Sequence, residues 1–150
     1  MAEQSVSMNH DEIVEFLGSG GTAVAAFAKD DVSYAIPVSY GFDAEHEHVY
    51  LRLAFAPESE KREFVNASST ISVVVHQNTP DGWKSVVARG ALREVTEAQL
   101  DSTIVEAMRT MDVPFVTIYD RPTEELTFEM YRLAPDDLTG RKEKTMRGVE

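Results

Sequence analysis

Three polar side chains suited to anion binding follow an apolar run near the middle of the chain. The run ends at Ala56-Pro57, where a helix can begin, and Ser59, Lys61 and Arg62 fall in or near its first turn. Backbone N–H groups and the helix dipole favour a phosphate at such a terminus, and a hydroxyl and two cations add to this. On spacing alone, a solvated helix with ordinary surface cations is the more common explanation, so the spacing permits an anion site without establishing one.

Other arrangements that could carry chemistry are poorly supported. His46 and His48 lie in a polar tip rich in acids, without the HExxH spacing or a cysteine pair, which favours a solvated turn and predicts no metal site. No serine stands in a Gly-x-Ser-x-Gly elbow, which argues against acyl transfer. The glycine cluster at 18–21 lacks the Lys-Ser/Thr of a P-loop and ends a helix, so it predicts a turn.

Composition narrows the class of protein. The 150 residues suit one domain, 43% are apolar, and the absence of cysteine excludes disulfides and thiolate catalysis. The formal net charge of −12 disfavours nucleic acid, and an acidic surface with few lysines would suit a salt-rich cytoplasm. No apolar run approaches a membrane span and the first residues lack signal-peptide order, so we expect a cytoplasmic protein without a membrane partner.

Strand patterns dominate the chain. Asn9 and Glu12 predict a capped helix that stops at Gly18, and Pro37 predicts an edge, a bulge or a strand end inside its own strand. A long strand over 83–95 is expected to bend at Gly90. The other predicted strands are 22–28, 32–40, 49–54, 70–76, 113–119 and 126–134, and the other predicted helices are 58–66 and 96–111.

This order of elements predicts an antiparallel barrel with peripheral helices. Six or seven strands with three scattered helices cannot form a βαβ series, and a barrel removes the edges that short strands would expose. We expect a single domain over 1–150, closed by 135–140, with flexible tails at 1–8 and 141–150. Four cations (Arg141, Lys142, Lys144 and Arg147) fall in the second tail, which is either mobile or folded over an anionic ligand.

Several short motifs resemble the pyridoxamine 5′-phosphate oxidase-like family of flavin-binding split barrels. They are PVSY at 37–40, VYLRL at 49–53, SEKREFVNA at 59–67 and KSVVARGALREV at 84–95, in the family's order. The resemblance spans roughly residues 10–140. It implies a six-stranded antiparallel split barrel of Greek-key type that forms a homodimer and binds FMN with residues of both subunits.

The resemblance also assigns roles to individual residues. Ser59 and Lys61 match the Ser-x-Lys motif that grips the flavin phosphate, Glu60 departs from the arginine of the oxidases, and Arg62 can replace that lost cation. Lys84 matches a family arginine, and Ser85 falls where the family has a glutamine that touches the flavin. The implied cofactor-binding residues are Pro37, Val38, Ser39, Tyr40, Leu51, Arg52, Leu53, Ser59, Lys61, Arg62, Lys84 and Ser85.

Two aromatic residues and one cation complete the predicted site. Most aromatic side chains are explained by core or dimer packing, but Tyr40 and Trp83 are candidate flavin neighbours. Arg52 lies within an apolar strand and needs an acid or a phosphate as partner, because an isolated buried charge is costly. Arg141 and Lys142 are the weaker stand-ins for C-terminal elements of the oxidases that have no match here.

The resemblance implies an oxidoreductase that acts on a small-molecule substrate of unknown identity. No residue stands out as a general acid or base, so the sequence names no catalytic residue. Three rival functions occur on the same fold: a non-catalytic flavin-binding or flavin-storing module, a deazaflavin-dependent reductase and a haem-handling protein.

Overall fold

The computed structural model describes residues 5–96 and 127–144. Its elements, in chain order, are β1 (Ser5–Ser7), α1 (His10–Leu17), β2 (Gly21–Lys29), β3 (Val32–Asp43), β4 (His48–Phe55), α2 (Glu60–Ala67), β5 (Ile71–Thr79), β6 (Gly82–Val95) and β7 (Thr127–Glu143). Two predicted elements lie outside the described residues. They are the helix over 96–111, apart from its first residue, and the strand over 113–119. Within the described ranges, neither helix has the length and apolar character that crossing a bilayer requires.

Six strands close into an antiparallel ring. The order is β7-β4-β3-β2-β5-β6, and β6 pairs again with β7 to complete the ring. The short β1 adds a seventh strand at the edge of β7, where Ser5–Ser7 pair with residues 141–143. The predicted six-stranded antiparallel barrel is therefore confirmed, and β1 is an element that the sequence did not predict.

Local sequence signals explain the helix ends and the hairpins. The Asn9 side chain accepts from the N–H of Glu12, and the Glu12 carboxylate accepts from the N–H of Asn9, which is the capping box that the sequence predicted. Asp30 and Asp31 have φ of 50° and 65°, and this pair of left-handed residues forms the two-residue turn between β2 and β3. Both features fix the chain direction without distant contacts.

The prediction of a bend at Gly90 is also confirmed. The β6–β7 register shifts between Arg89 and Gly90, where Gly90 pairs with Pro135 and Arg89 with Asp137. A Cβ at Gly90 would lie 2.6 Å from the Ala134 carbonyl oxygen, so only glycine allows this close approach. The same irregularity accommodates Pro135, which has no N–H to donate to the ladder.

Strand β7 corrects the predicted end of the domain. The sequence placed the last strand at 126–134 and a closing turn at 135–140, but β7 continues through Glu143. Pro135 sits at the bulge instead of ending the strand. Gly140 provides space for α1 and the residue before its cap, since a Cβ there would lie 3.0 Å from Ile13 Cγ1 and 2.8 Å from the Met8 sulfur. Parts of both predicted tails, Ser5–Ser7 and residues 141–143, are therefore paired strands.

Alternation along the strands separates an inner from an outer barrel face. Side chains of β2 and β3 such as Ala23, Ala25, Phe27, Val38 and Tyr40 point inward and are at most 7% exposed. The first part of β3, up to Val38, pairs only with β2, so Pro37 lies on a strand edge without disturbing the register. This edge is one of the three settings that the sequence predicted for Pro37.

Candidate functional site

The N-terminus of α2 lies where β4 leaves the barrel. Ser59 is the N-cap, and its hydroxyl accepts from the N–H of Lys61 at 3.1 Å, which satisfies one of the unpaired donors of the first turn. Glu58 precedes it with φ of 57° and reverses the chain direction between strand and helix. Glu60, the residue that departs from the oxidase pattern, is exposed and is not among the residues that line the cleft described below.

Lys61 turns inward from this helix. Its side chain is buried, and Nζ donates to the carbonyl oxygen of Ala54 at 2.6 Å, at the end of β4. Nζ also lies 5.8 Å from the centroid of the Phe55 ring. The ammonium thus anchors α2 to β4, and Lys61 is not among the residues that line the neighbouring cleft.

Arg62 forms the centre of a charged cluster with β7. Its Nη1 and Nη2 donate to the two carboxylate oxygens of Glu129 at 3.2 and 2.8 Å, and its Cζ lies 4.0 Å from the centroid of the Phe55 ring. The Tyr131 hydroxyl donates to Glu129 Oε1 at 2.7 Å. A bidentate pair on an aromatic face holds the guanidinium in one orientation.

Protonation in this cluster follows from its contacts. The hydrogen bond from Arg62, with a smaller contribution from Tyr131, lowers the pKa of Glu129, although partial burial opposes this. Burial, and then the hydrogen bond to Glu129, raises the pKa of Tyr131. At neutral pH the cluster therefore contains a carboxylate, a guanidinium and a neutral phenol.

A cleft of about 640 Å³ opens beside this cluster, within the range of small-molecule sites. Ser59, Arg62 and Asn66 supply polar groups that can bind an anionic ligand, and Phe55 supplies an aromatic wall. Glu58 and Glu63 also line the cleft and oppose an anion close to them. The full lining is Phe55, Ala56, Pro57, Glu58, Ser59, Arg62, Glu63, Asn66 and Thr127.

The predicted residues of β3 and β4 divide between the two barrel faces. Val38, Tyr40, Leu51 and Leu53 lie in the core, with Tyr40 only 1% exposed, and burial raises the pKa of its hydroxyl to about 12. Their side chains face the barrel interior, and the role of Tyr40 as a flavin neighbour stays a prediction.

The remaining residues of these two strands face outward. They are Pro37, Ser39 and Arg52, and Ser39 pairs with Arg52 across the β3–β4 ladder. The Arg52 guanidinium lies 4.9 Å from the centroid of the Phe128 ring, so an aromatic face is one of its contacts. The expected acid or phosphate partner stays a prediction.

Lys84 and Ser85 lie on β6, three strands away from β3 in the ring. Lys84 pairs with Lys142 of β7, and Ser85 pairs with Arg141, whereas Arg52 pairs with Met130 near the start of β7. About twelve residues of β7 separate these positions along the strand, but across the ring β3 and β6 are only three strand spacings apart, or roughly 15 Å. Trp83, next to Lys84, is 39% exposed.

Sequence reasoning missed the β7 residues of the site. Glu129, Tyr131 and Leu133 share the inward register of β7, and Glu129 is the acid in a row whose other two members are buried. An acid at an inward position of a strand requires a partner, so the sequence pattern of β7 indicates that Glu129 has one. The pattern does not identify Arg62 as this partner, because 67 positions separate the two residues.

Comparison with known proteins places this geometry among related folds. The family model described as pyridoxamine 5′-phosphate oxidase matches residues 9–142. A search of curated proteins gave no match.

Similar solved structures include two bacterial proteins named for FAD binding. One, from Mycobacterium smegmatis, has 18% identity and a TM-score of 0.62, with 93% of this chain and 100% of that chain covered. The other, from Mesorhizobium loti, has 19% identity and a TM-score of 0.66, with 93% and 99% covered. An FAD and haem binding protein from M. smegmatis has 13% identity and a TM-score of 0.62, with 95% and 74% covered. At these identities the likeness concerns the fold.

Proposed function

The chain belongs to the pyridoxamine 5′-phosphate oxidase family, and from this membership and the cleft beside α2 we propose that it is an FMN-binding oxidoreductase. The single observation that carries the proposal is the cleft of about 640 Å³ in which Ser59 and Arg62 adjoin the first turn of a helix. The small-molecule substrate stays unassigned, because the described cleft residues do not single out one reaction.

The residues of the cleft fit a flavin phosphate with one change from the sequence expectation. Ser59 and the helix N–H groups can donate to phosphate oxygens, and Arg62 brings a guanidinium to the same cleft. Lys61 contributes its positive charge from beneath the helix, since its Nζ is engaged with Ala54. We therefore assign the direct phosphate contacts to Ser59 and Arg62.

The aromatic and outward-facing residues nearby suit the rest of the cofactor. Phe55 forms one wall of the cleft, and on the adjacent strands the half-buried Arg52 pairs with Ser39, which is 5% exposed. When bound, FMN supplies hydride transfer, while the protein supplies position and electrostatics.

We also propose that two copies of the chain form the working unit. An apolar row crosses the outer barrel face from β3 to β6, in which Pro37, Val24, Val74 and Val87 are successive ladder partners. Pro37 is exposed and the three valines are half-buried, so the row offers apolar surface that a second copy would cover. Such an obligate interface would exceed about 2,000 Å².

A dimer can also complete the site at the α2 cleft. Lys84 and Ser85 lie at the opposite end of β7 from the α2 cleft of their own chain. A partner placed on the outer face can supply its own Lys84 and Ser85 to this cleft. The proposed site is then completed by both subunits.

The test of the cofactor is to purify the protein, denature it and identify the released ligand by mass. We expect FMN. FAD, which the names of similar structures make the second candidate, would overturn the choice of FMN while preserving flavin binding. A protein that is colourless and cannot be reconstituted with either flavin would overturn the proposal.

Two further measurements separate this function from its rivals on the same fold. The absorption spectrum distinguishes flavin from deazaflavin and haem. Oxidation of reduced nicotinamide by the flavin-loaded protein distinguishes an oxidoreductase from a storage module, and we expect turnover that depends on bound flavin.

A further inference from the structure

Three of the four histidines of the chain meet at one cavity, away from the α2 cleft. The cavity measures about 310 Å³, and its walls come from the start of α1, the β3–β4 turn and the middle of β7. His10, His46 and His48 line it together with Glu47 and Asp136. His10 is distant in sequence from the other two, so only the fold creates this cluster.

The His46 ring is oriented by a buried carboxylate. Asp43 is 5% exposed, and its Oδ2 lies 2.7 Å from His46 Nδ1, while Oδ1 accepts from the backbone N–H groups of Glu45 and His46. Oδ1 already accepts from two backbone N–H groups, as an ionised carboxylate does, and such a carboxylate can only accept. Nδ1 must therefore donate, and in the neutral ring Nε2 carries the lone pair.

This pairing has the form that orients histidine ligands in metal proteins. A carboxylate that accepts from one ring nitrogen fixes the tautomer and raises the basicity of the other nitrogen. The His48 ring stacks beside His46 with centroids 5.8 Å apart.

Carboxylates add negative charge around the three rings. Glu47 Oε2 lies 3.1 Å from His10 Nε2, and Asp136 lies on the opposite wall of the cavity. Among the described residues, the group whose donor atoms already lie within 4.8 Å of one another is Asp43, Glu45 and His46, so the rings of His10 and His48 must turn to share an ion with His46. Imidazoles surrounded by carboxylates match the ligand preference of divalent first-row transition metals, above all Zn²⁺.

We propose that this cavity binds a divalent transition-metal ion through the imidazoles of His10, His46 and His48. Asp43 is the positioning residue that holds His46, and His10 exchanges its contact with Glu47 for the metal. The ion would join α1, the β3–β4 turn and the start of β4, so it would bind the folded chain and stabilise it. This site is independent of the proposed flavin cleft and shares no lining residue with it.

The test is titration of the untagged full chain with Zn²⁺ by calorimetry, together with Co²⁺ absorption as a report of the ligand sphere. We expect one equivalent bound with a dissociation constant in the micromolar range or below. The variants H10A, H46A and H48A should each weaken Zn²⁺ binding at least tenfold. The matched control is H76A, because His76 is exposed on β5 and does not line the cavity, and it should bind as the wild type does.

Two further variants test the assignment of roles. D43N should weaken binding by about ten- to hundredfold while the far-ultraviolet circular dichroism stays unchanged, since it removes a supporting carboxylate. E45Q should leave binding unchanged. Wild-type binding weaker than millimolar, or equal losses in H76A and H46A, would overturn the site, and loss of binding in E45Q would overturn the three-histidine ligand set. If D43N fails to fold, the three histidine variants and H76A still decide the proposal.

Discussion

Lys61 offers a direct test of how α2 is attached to the barrel. In Lys61→Met the ammonium is lost, while an unbranched side chain of similar length can still fill the space. The substitution removes the donor at 2.6 Å from the Ala54 carbonyl oxygen. We expect the apo protein to become less stable, because Lys61 is only 8% exposed and little water can replace the lost donor.

The size of the effect follows from the type of contact. A hydrogen bond from a charged donor contributes roughly 1.5–3 kcal/mol, and an unsatisfied carbonyl costs a similar amount. The variant also avoids the cost of burying an ammonium group, which partly compensates for the lost hydrogen bond. We therefore expect the free energy of unfolding to fall by about 2 kcal/mol. For a chain of this length, this lowers the melting temperature by roughly 4–8 °C.

The assay pairs thermal unfolding of the apo protein with an FMN titration, for the wild type, Lys61→Met and Lys29→Met. Lys29 is the matched control, because its Nζ lies 3.9 Å from Glu63 on the same helix and its side chain is 41% exposed. Lys29→Met should change stability by less than about 0.5 kcal/mol. FMN affinity of Lys61→Met should fall less than about tenfold. Unchanged stability combined with a loss of FMN affinity of about tenfold or more would show that Lys61 contacts the phosphate and that our reasoning is wrong.

Three further predictions address the cleft, the cluster and the dimer. Ser59→Asp keeps a good N-cap but places a negative charge at the proposed phosphate position, so the apo protein should stay as stable as the wild type while its FMN affinity in a titration falls at least tenfold. Equal FMN affinity would show that Ser59 does not contact the phosphate. The pKa of Glu129 is lowered in the folded state, so its pair with Arg62 stabilises the fold above pH 4.5, and this contribution disappears as the pH falls through the folded-state pKa. The free energy of urea unfolding should therefore depend less on acid pH in Glu129→Gln than in the wild type, and an identical profile would contradict the pair. Val74→Glu should produce monomers in sedimentation at low micromolar concentration while Val32→Glu, at a position 57% exposed, should not, and a wild-type monomer with bound FMN would refute the two-subunit site.

Much of the fold follows from signals that act over a few residues. The Asn9–Glu12 capping box, the Asp30-Asp31 turn and the bend at Gly90 depend on local backbone geometry, and each lies where the sequence predicts it. Burial alternates with period two along β2 and through much of β6, because a strand exposes successive side chains to opposite sides.

The end of β7 shows where local signals mislead. The sequence Pro-Asp-Asp-Leu-Thr-Gly favours a turn, yet β6 supplies a ladder partner along this stretch, and the bulge opposite Gly90 accommodates Pro135. Pairing with a neighbouring strand therefore outweighed local turn preference, and only the closed ring of strands provides that partner.

The functional groups divide in the same way. The sequence by itself determined that a hydroxyl and two cations stand at the start of a helix after a strand, because a cap and an apolar run are local features. The tertiary structure decided that Lys61 turns to Ala54, that Arg62 meets Glu129, and that His10 joins the histidines of the β3–β4 turn. Each of these contacts joins a helix to a strand or turn of the barrel. The closed ring of strands decides which partner lies within reach of each side chain, and the partner decides the direction of the side chain.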